Sequence, residues 1–273
     1  MRLKKAIDLT FENRESWRNG SGAVTARINT NHVVRILGNI DATEITGSHF
    51  NKLVRQLRNE GKANGTINRI QAALSAVLKE LQYDGYDVRT TSYKRLREKP
   101  GKPEFYSVEE LEKLLTAASE LKDAMLLHDS ILFSYRTGCR QGELLKLCRS
   151  EVDLDEMEVT FLDTKNGEDH VLPINPEIQE VLERRIHYAT GPILFSWRDG
   201  DQLLEEFKVI RDALGISSKK AWHTIRHTTA THMLEKGTQM RTIMKVLNHK
   251  SINTTLRYAK TTDSSLKAAM AVL

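Results

Sequence analysis

Four short stretches of the sequence contain arginine, lysine, histidine and tyrosine side chains at spacings that suit catalysis. They are "TGCRQGELLKL" with Arg140 and Glu143, a hairpin-like segment with Lys165, "HTIRHTTATH" with His223 and Arg226, and "VLNHKSINTTLRYAK" with His249 and Tyr258. Arginine is always charged and presents a planar fork of donors, which suits the nonbridging oxygens of a phosphate. Two arginines and one or two histidines would form a metal-free clamp for phosphoryl transfer, a reaction that depends mainly on positioning and charge stabilisation.

Tyr258 and Lys165 could supply the covalent and the acid step of such a reaction. A tyrosine oxygen can attack phosphorus, and a lysine can protonate the leaving oxygen. Unperturbed tyrosine has a pKa of roughly 10. Nearby cations are therefore required to favour the phenolate.

Each of these residues also has an ordinary explanation when it is considered alone. Arg140 and Glu143 could form a helical surface ion pair, which contributes little to stability. Lys165 could be a solvated turn lysine, Tyr258 a packed core residue, and the histidines satisfied polar groups on a helix. The hypothesis of one shared site therefore depends on the whole set of residues.

The segment "HTIRH" also suggests a zinc site, because His223 and His227 are four residues apart. A zinc protease motif reads HExxH, whereas position 224 is threonine, and no carboxylate in the segment could serve as a base or third ligand. We therefore predict neither a metal site nor a cofactor.

The elements that would position these residues are predicted to be mostly helical in residues 1–89. Apolar residues recur there at three- and four-residue spacing, which is the pattern of a helix with one buried face. The clearest stripe lies in "TINRIQAALSAVLKELQ" and consists of Ile67, Ile70, Leu74, Val77 and Leu81.

A second domain is predicted for residues 105–273. Ser107 and Glu110 form a capping-box pattern at the start of its first helix, and Gly138 is a plausible stop for the next. The segment "MEVTFLDTKNGEDHVLPI" alternates around "KNG", which predicts a β-hairpin with a tight turn. The predicted fold is mostly α with a small β-sheet, and the second domain is α+β.

Charge is distributed unevenly along the 273 residues. The first 100 residues contain 18 Lys and Arg against 10 Asp and Glu, whereas the remainder contains 23 against 26. Residues 90–104 are predicted to be a basic linker in which Lys94 and Arg95 could follow a phosphate backbone. The asymmetry suggests a polyanion partner, with nucleic acid first, although an ordinary solvated basic surface is an equal alternative.

Composition places the chain among soluble globular proteins of a reducing compartment. No apolar run is long enough to span a bilayer, and no signal-peptide pattern follows the N-terminus. The two cysteines, Cys139 and Cys148, form neither a disulfide framework nor a metal motif. We therefore predict a cytoplasmic protein without a membrane partner.

The order Arg, Lys, His-x-x-Arg, His, Tyr resembles the tyrosine recombinase (phage integrase) family. "TGCRQGELLKL" resembles the first arginine motif of that family, while "HTIRHTTATHML" and "VLNHKSINTTLRYAK" resemble its second and third boxes. "TINRIQAALSAVLKEL" is similar to the last helix of its core-binding domain. The resemblance implies a helical DNA-binding core-binding domain followed by a catalytic domain.

The resemblance also implies a role for each motif residue. Arg140 and Arg226 would grip the scissile phosphate, His249 would donate a hydrogen bond to it, Lys165 would be the general acid, His223 would assist proton transfer, Glu143 would orient the clamp, and Tyr258 would form a 3′-phosphotyrosyl link. One departure is Asn248, where members of the family usually have glycine; asparagine tolerates left-handed backbone angles.

The resemblance further implies a DNA-bound assembly. Double-stranded recombination sites would be held by four protomers, with accessory DNA-bending proteins as possible partners, and Thr66 and Arg69 would contact phosphate. The tail "TTDSSLKAAMAVL" would dock on a neighbour or fold back on its own domain. The chain is expected to begin directly with the core-binding domain, either because it lacks an arm-binding domain or because it has been trimmed. Phage integration, excision, mobile-element transfer and dimer resolution all stay open.

Three other functions stay open at this point. "TQMRTIMKVLNHKSINTTLRYAK" could form a helix-turn-helix of a non-catalytic DNA-binding protein, although such a protein has no use for Arg140 and Lys165. A metal-dependent nuclease would use the histidines and would lose activity with a chelator. A type IB topoisomerase-like nicking-closing enzyme would share the chemistry, and strand-exchange assays would separate the two.

Overall fold

The computed structural model describes residues 1–20, 22–98, 103–121, 125–162, 164 and 168–259. The chain divides into two compact units, Met1–Pro100 and Gly101–Leu273. Both are built mainly of helices, and the second contains a small sheet, so the predicted fold class is confirmed. Within the described ranges, no helix combines the length and apolarity needed to cross a membrane.

The first unit is a helical bundle around its longest helix. Its helices are α1 (Leu3–Asn13), α2 (Glu15–Arg18), α3 (Ala23–Leu37), α4 (Gly47–Asn59) and α5 (Asn64–Tyr83). The predicted stripe on α5 is confirmed, because all five of its apolar residues are buried. Leu53 and Leu57 of α4 belong to the same core, so burial of one apolar face holds α5 in place.

The segment that follows α5 packs back along this helix. The side chain of Asn68 accepts a hydrogen bond from the backbone N–H of Leu96 at 2.8 Å and donates to the Leu96 carbonyl at 2.9 Å. Asn64 donates in the same way to the Arg97 carbonyl at 2.8 Å. The first part of the predicted linker is therefore an ordered edge of this unit; the boundaries 1–89, 90–104 and 105–273 stay a prediction.

The second unit begins with the predicted capping box. The backbone N–H of Glu110 donates to Ser107 Oγ at 3.2 Å, and the Glu110 carboxylate accepts from the Ser107 N–H at 2.9 Å, so this prediction is confirmed. The helices are α6 (Val108–Ser119), α7 (Leu126–Thr137), α8 (Gln141–Leu144), α9 (Pro176–Tyr188), α10 (Gly200–Ala213), α11 (Thr224–Glu235), α12 (Met240–Val246) and α13 (Ile252–Ala259).

The sheet of this unit has three antiparallel strands in the order β1-β2-β3. They are β1 (Val152–Asp153), β2 (Glu158–Phe161) and β3 (His170–Pro173). Pairing of Phe161 with His170 and of Val159 with Leu172 confirms the hairpin. The "KNG" turn, with Lys165, lies outside the described residues.

Helix α7 lies at the centre of the second core, and its C-terminal end leads into the chemistry-bearing residues. Phe133 of α7 packs against Phe195 with ring centroids 5.2 Å apart. The helix ends at Gly138, whose φ of 64° is left-handed, so the predicted stop is confirmed. A smaller cluster joins α11, α12 and α13 through Ala230, Ile243, Leu247 and Tyr258.

Candidate active site

Arg140 lies directly after the end of α7 and is held by a carboxylate and a carbonyl. Its Nη1 donates to Glu143 Oε1 at 2.6 Å, and its backbone N–H donates to Glu143 Oε2 at 2.7 Å. Its Nη2 donates to the Asn248 carbonyl at 3.2 Å. The Glu143 side chain is only 10% exposed. Arg140 and Glu143 therefore form a partly buried ion pair that orients the guanidinium, whereas an exposed ion pair would contribute little to stability.

Arg226 projects from α11 into the same region. One terminal nitrogen donates to the Gly138 carbonyl and the other to the Leu247 carbonyl. Burial, together with the charge of Arg140, lowers the pKa of Arg226, yet a guanidinium stays protonated in proteins. The guanidinium groups of Arg140 and Arg226 therefore both lie where the end of α7 meets the loop after α12. We call these two side chains the arginine clamp.

Each guanidinium keeps donors for a ligand. A guanidinium has five N–H groups, and the side chains of Arg140 and Arg226 each use two of them in the contacts above. The carbonyl and carboxylate acceptors fix the orientation of both groups before any substrate arrives. Preorganised donors of this kind stabilise charge on a phosphate without further reorganisation.

Gly138 makes this convergence possible. Its φ of 64° is in the left-handed region, and a Cβ added there would lie 2.5 Å from Leu247 Cδ2. Because its carbonyl accepts from Arg226, the close approach of α7 to the loop after α12 also sets the position of that arginine. Only glycine satisfies both the backbone angle and the contact.

We expect Gly138→Ala to lower the free energy of unfolding by about 2–4 kcal/mol, from left-handed strain and overpacking. Gly142→Ala is the matched control, because Gly142 is exposed within α8 and nothing lies within 4 Å of an added Cβ. That control should be neutral or stabilising by about 0.5–1 kcal/mol. Urea unfolding measures both variants, and equal effects would contradict the role given to Gly138.

Asn248 joins the arginine clamp to the sheet. Its φ of 46° is left-handed, which asparagine tolerates better than most residues. Its carbonyl accepts from Arg140, and its side-chain Nδ2 donates to Thr164 Oγ1 at 3.1 Å. Thr164 in turn donates to the Glu168 carbonyl at 2.7 Å. Asn248 therefore connects the loop before His249 to the segment between β2 and β3 through its side chain. A glycine at this position would have no side-chain donor for this hydrogen bond.

We expect the Asn248–Thr164 hydrogen bond to appear as a coupling energy of about 0.5–1.5 kcal/mol in a double-mutant cycle. Asn248→Gly removes the donor and keeps the backbone angle accessible, and Thr164→Val removes the acceptor with little change in shape. Urea unfolding of the two single variants and the double variant measures the coupling. Strictly additive losses would show that the contact contributes nothing.

His249 lies beside the two arginines in the loop between α12 and α13. Its Nδ1 lies 2.9 Å from Thr255 Oγ1, and Thr255 is fully buried on α13. Burial, with the charges of Arg226 and Arg140, lowers the pKa of His249 to about 4. The imidazole is therefore neutral at pH 7, and if Thr255 donates to Nδ1, the proton on Nε2 is available to a ligand.

Tyr258 is held on α13 by a histidine of α11. Its phenolic oxygen lies 2.7 Å from His227 Nδ1, and the residue is 1% exposed. Burial raises the pKa of Tyr258, while the charges of Arg226 and Arg257 oppose that rise. The nucleophile that the motif predicts is therefore protonated at rest and adjacent to the arginine clamp.

His227 is the residue that the motif pattern did not assign to the site. His223, which the resemblance names for proton transfer, is exposed at the start of α11, and its ring packs edge-on against that of His227 at 5.5 Å. The i, i+4 spacing of the two histidines was a usable signal, since it puts both on one helix face. The contact with Tyr258 spans 31 residues and could not be read from spacing.

The remaining predicted residues are placed as follows. Lys165 and the C-terminal tail from residue 260 lie outside the described residues. In the first unit Arg69 and Lys94 are exposed, Thr66 is half-buried, and Arg95 pairs with Glu98 at 3.0 Å. Within the part of the chain that the structure describes, no three His, Cys, Asp or Glu side chains come together as metal ligands.

Comparison with known proteins assigns the chain to a protein family. Residues 104–265 match the model described as "Phage integrase family". The matched segment is more than half of the chain, and the chain therefore belongs to the phage integrase family.

Among its relatives are proteins named tyrosine recombinase XerA and XerD. XerA of Thermococcus onnurineus is 26% identical over 97% of this chain and 95% of that protein, and XerA of Pyrococcus horikoshii is 27% identical over 80% and 77%. XerD of Listeria monocytogenes is 27% identical over 77% of this chain and 76% of that protein.

Solved structures share the fold at low identity. The Tn1549 transposon integrase in complex with circular intermediate DNA has a TM-score of 0.79 and 18% identity, and covers 99% of each chain. A lambda integrase tetramer bound to a Holliday junction has a TM-score of 0.79 and 17% identity, over 94% of this chain and 77% of that one.

Proposed function

We propose that this chain cleaves and rejoins DNA strands through a 3′-phosphotyrosyl intermediate with Tyr258 as the nucleophile. As a phage integrase family member with tyrosine recombinases as relatives, it is a site-specific DNA recombinase. The observation that carries the proposal is that Arg140 and Arg226 are held by the adjacent carbonyls of Asn248 and Leu247, directly before His249, and that Arg226 acts electrostatically on Tyr258.

The first step is the grip on the scissile phosphate. Arg140 and Arg226 contribute fixed N–H donors to the nonbridging oxygens, and His249 donates from its outer nitrogen. The charge that builds on these oxygens during transfer is stabilised by the two guanidinium groups. Glu143 keeps Arg140 in orientation through two hydrogen bonds.

The second step is displacement at phosphorus. The Tyr258 oxygen forms a bond to phosphorus as the bond to the 5′ oxygen breaks, and Lys165 gives a proton to that leaving oxygen. The phosphodiester energy is kept in the tyrosyl link, so a 5′-hydroxyl of a partner duplex can reverse the step. Rejoining therefore requires neither ATP nor a metal ion.

Basic residues along one edge of the first unit support the proposal that this unit binds DNA. The bonds of Asn68 to Leu96 bring the start of α5 beside residues 94–97. Arg95 pairs with Glu98 at 3.0 Å, and Asn68, which directly precedes Arg69, donates to the same carboxylate at 2.8 Å. We propose that Thr66, Arg69, Lys94 and Arg95 contact phosphates of the recombination site.

Strand exchange requires more than one copy of the chain. The lambda integrase structure of the same fold is a tetramer on a Holliday junction, and we propose a homotetramer on two duplexes here. Accessory DNA-bending proteins and a cytoplasmic, nucleoid-associated location belong to the same proposal. A type IB topoisomerase would stop at nicking and closing, so transfer of a strand between duplexes separates the two activities.

Covalent capture tests the proposal. The probe is a pool of nicked duplexes with a randomised central segment, incubated with the chain in EDTA, and adducts that resist SDS are recovered. Recombinase chemistry gives adducts in EDTA and enriches one sequence. A non-catalytic helix-turn-helix protein would bind without adducts, and a metal-dependent nuclease would be inactive; either result rejects the proposal.

A further inference from the structure

We propose that His227 is the base that accepts the phenolic proton of Tyr258 as this oxygen attacks phosphorus. The inference rests on the proposed function, because it names the proton acceptor of the same reaction. It differs from the role that the family resemblance implies for His223.

The geometry places His227 on the reacting atom. Its Nδ1 lies 2.7 Å from the Tyr258 oxygen, and the two ring centroids are 5.6 Å apart. A base must lie within about 2.6–3.2 Å of the oxygen whose proton it takes. The phenol of Tyr258 therefore has a hydrogen-bond contact with His227 at the oxygen that would attack phosphorus.

Two features hold His227 in this position. Its α11 backbone carbonyl accepts from Thr231 Oγ1 at 2.9 Å, within a helix that packs against both α7 and α13. The exposed ring of His223 then packs edge-on against it at 5.5 Å. His223 therefore borders His227 on the solvent side, where a proton must eventually leave.

The charges around His227 make it an acceptor at rest. The groups that face it are Arg226 and His223 on α11, Arg257 and Tyr258 on α13, and His249 in the loop between α12 and α13. Burial first, and then the charges of Arg257, His223 and Arg226, lower the pKa of His227 to about 4. It is thus neutral at pH 7, with Nδ1 accepting from the phenol and the proton on Nε2.

DNA would strengthen this base. A bound phosphodiester brings a negative charge beside Arg226 and offsets the cations that depress the basicity of His227. The O–H bond of Tyr258 then breaks with its proton going to Nδ1, the bond from oxygen to phosphorus forms, and the 5′ oxygen leaves with a proton from Lys165. In the reverse step His227 returns the proton to the tyrosine. Deprotonation is therefore coupled to the presence of substrate.

The test is the pH dependence of adduct formation in single turnover, on a duplex recovered from the randomised pool. His227→Gln keeps an amide oxygen that can accept from the phenol but cannot take up a proton. We expect it to react about 10²-fold or more slowly at pH 7. Its rate should rise about tenfold per pH unit up to pH 9. Without a base the rate follows the fraction of Tyr258 that is already ionised, and this fraction rises tenfold per unit below the pKa of the phenol. The wild-type rate should stay nearly flat between pH 6 and 9.

His223→Gln is the comparison that separates the two histidines. If it shows the tenfold-per-unit slope while His227→Gln keeps the wild-type profile, His223 is the acceptor and the inference is overturned, with the proposed function still standing. If Tyr258→Phe still forms adducts, the proposed function itself fails.

A second measurement applies if His227→Gln does not fold. Imidazole ¹⁵N shifts of the wild-type protein should show an unprotonated Nδ1 on His227 at pH 7, and this signal should move in Tyr258→Phe. A protonated Nδ1, or a signal that ignores the loss of the phenol, would overturn the inference.

Discussion

Tyr258→Phe is expected to abolish covalent attachment to DNA while leaving DNA affinity within a fewfold of wild type. Removal of a nucleophile in another covalent enzyme costs on the order of 10⁶-fold in rate, which is beyond detection in an adduct assay. The phenylalanine ring keeps the packing against Ala230, Ile243 and Leu247, so the fold should be retained. The lost hydrogen bond to His227 should cost about 1 kcal/mol of stability.

Tyr135→Phe is the matched control for that variant. Tyr135 lies in the same unit, and its hydroxyl lies 3.0 Å from Nδ1 of a histidine, His232. The control loses the same hydroxyl group and the same type of hydrogen bond, but the partner of Tyr135 is His232, which is not one of the predicted site residues. Adduct formation should stay near wild type in the control; adducts in Tyr258→Phe would show that the nucleophile is another residue.

Arg226→Ala is expected to have the second largest effect, a loss of about 10³–10⁵ in cleavage rate with a much smaller loss of binding. The range is that of an arginine that stabilises charge on a transferring phosphoryl group. Binding falls less because phosphate contacts elsewhere supply most of the affinity. Arg140→Ala should behave similarly, since its guanidinium donates to the Asn248 carbonyl, next in the chain to the Leu247 carbonyl that holds Arg226.

Arg184→Ala controls for the loss of a partly buried guanidinium. Arg184 pairs with the buried Asp129 near the start of α7, at the opposite end of this helix from Gly138. Its removal should reduce stability and leave cleavage by the folded protein unchanged. Single-turnover cleavage and gel-shift affinity measure all three variants. Parallel losses of cleavage and binding in Arg226→Ala would indicate a role in DNA binding alone.

The parts of the fold that local rules govern could be predicted from the sequence. The stripe on α5, the capping box at Ser107 and Glu110, and the stop at Gly138 each depend on residues within a few positions of one another. The order of the motifs likewise indicated which side chains belong to one candidate site. Sequence order could not say that Arg140 and Arg226 share one loop as their support.

The contacts that the sequence did not predict link residues distant along the chain. His227 contacts Tyr258 across 31 residues, and Asn248 contacts Thr164 across 84. Both depend on how α11, α13 and the sheet pack, which no spacing within one element reveals. The Arg140–Glu143 pair shows the same limit, because its i, i+3 spacing alone suggests a weak surface pair while its burial makes it part of the clamp.

The most direct test of the central claim is the chemical identity of the protein–DNA link. An adduct trapped on the recovered duplex is digested with nuclease and with a protease that cuts after lysine, which releases residues 251–260 with Tyr258 as their only tyrosine. Mass spectrometry should find a nucleotide joined through its 3′ phosphate to the oxygen of Tyr258. A link to any other residue, or a 5′ phosphate at Tyr258, would contradict the mechanism proposed for this chain.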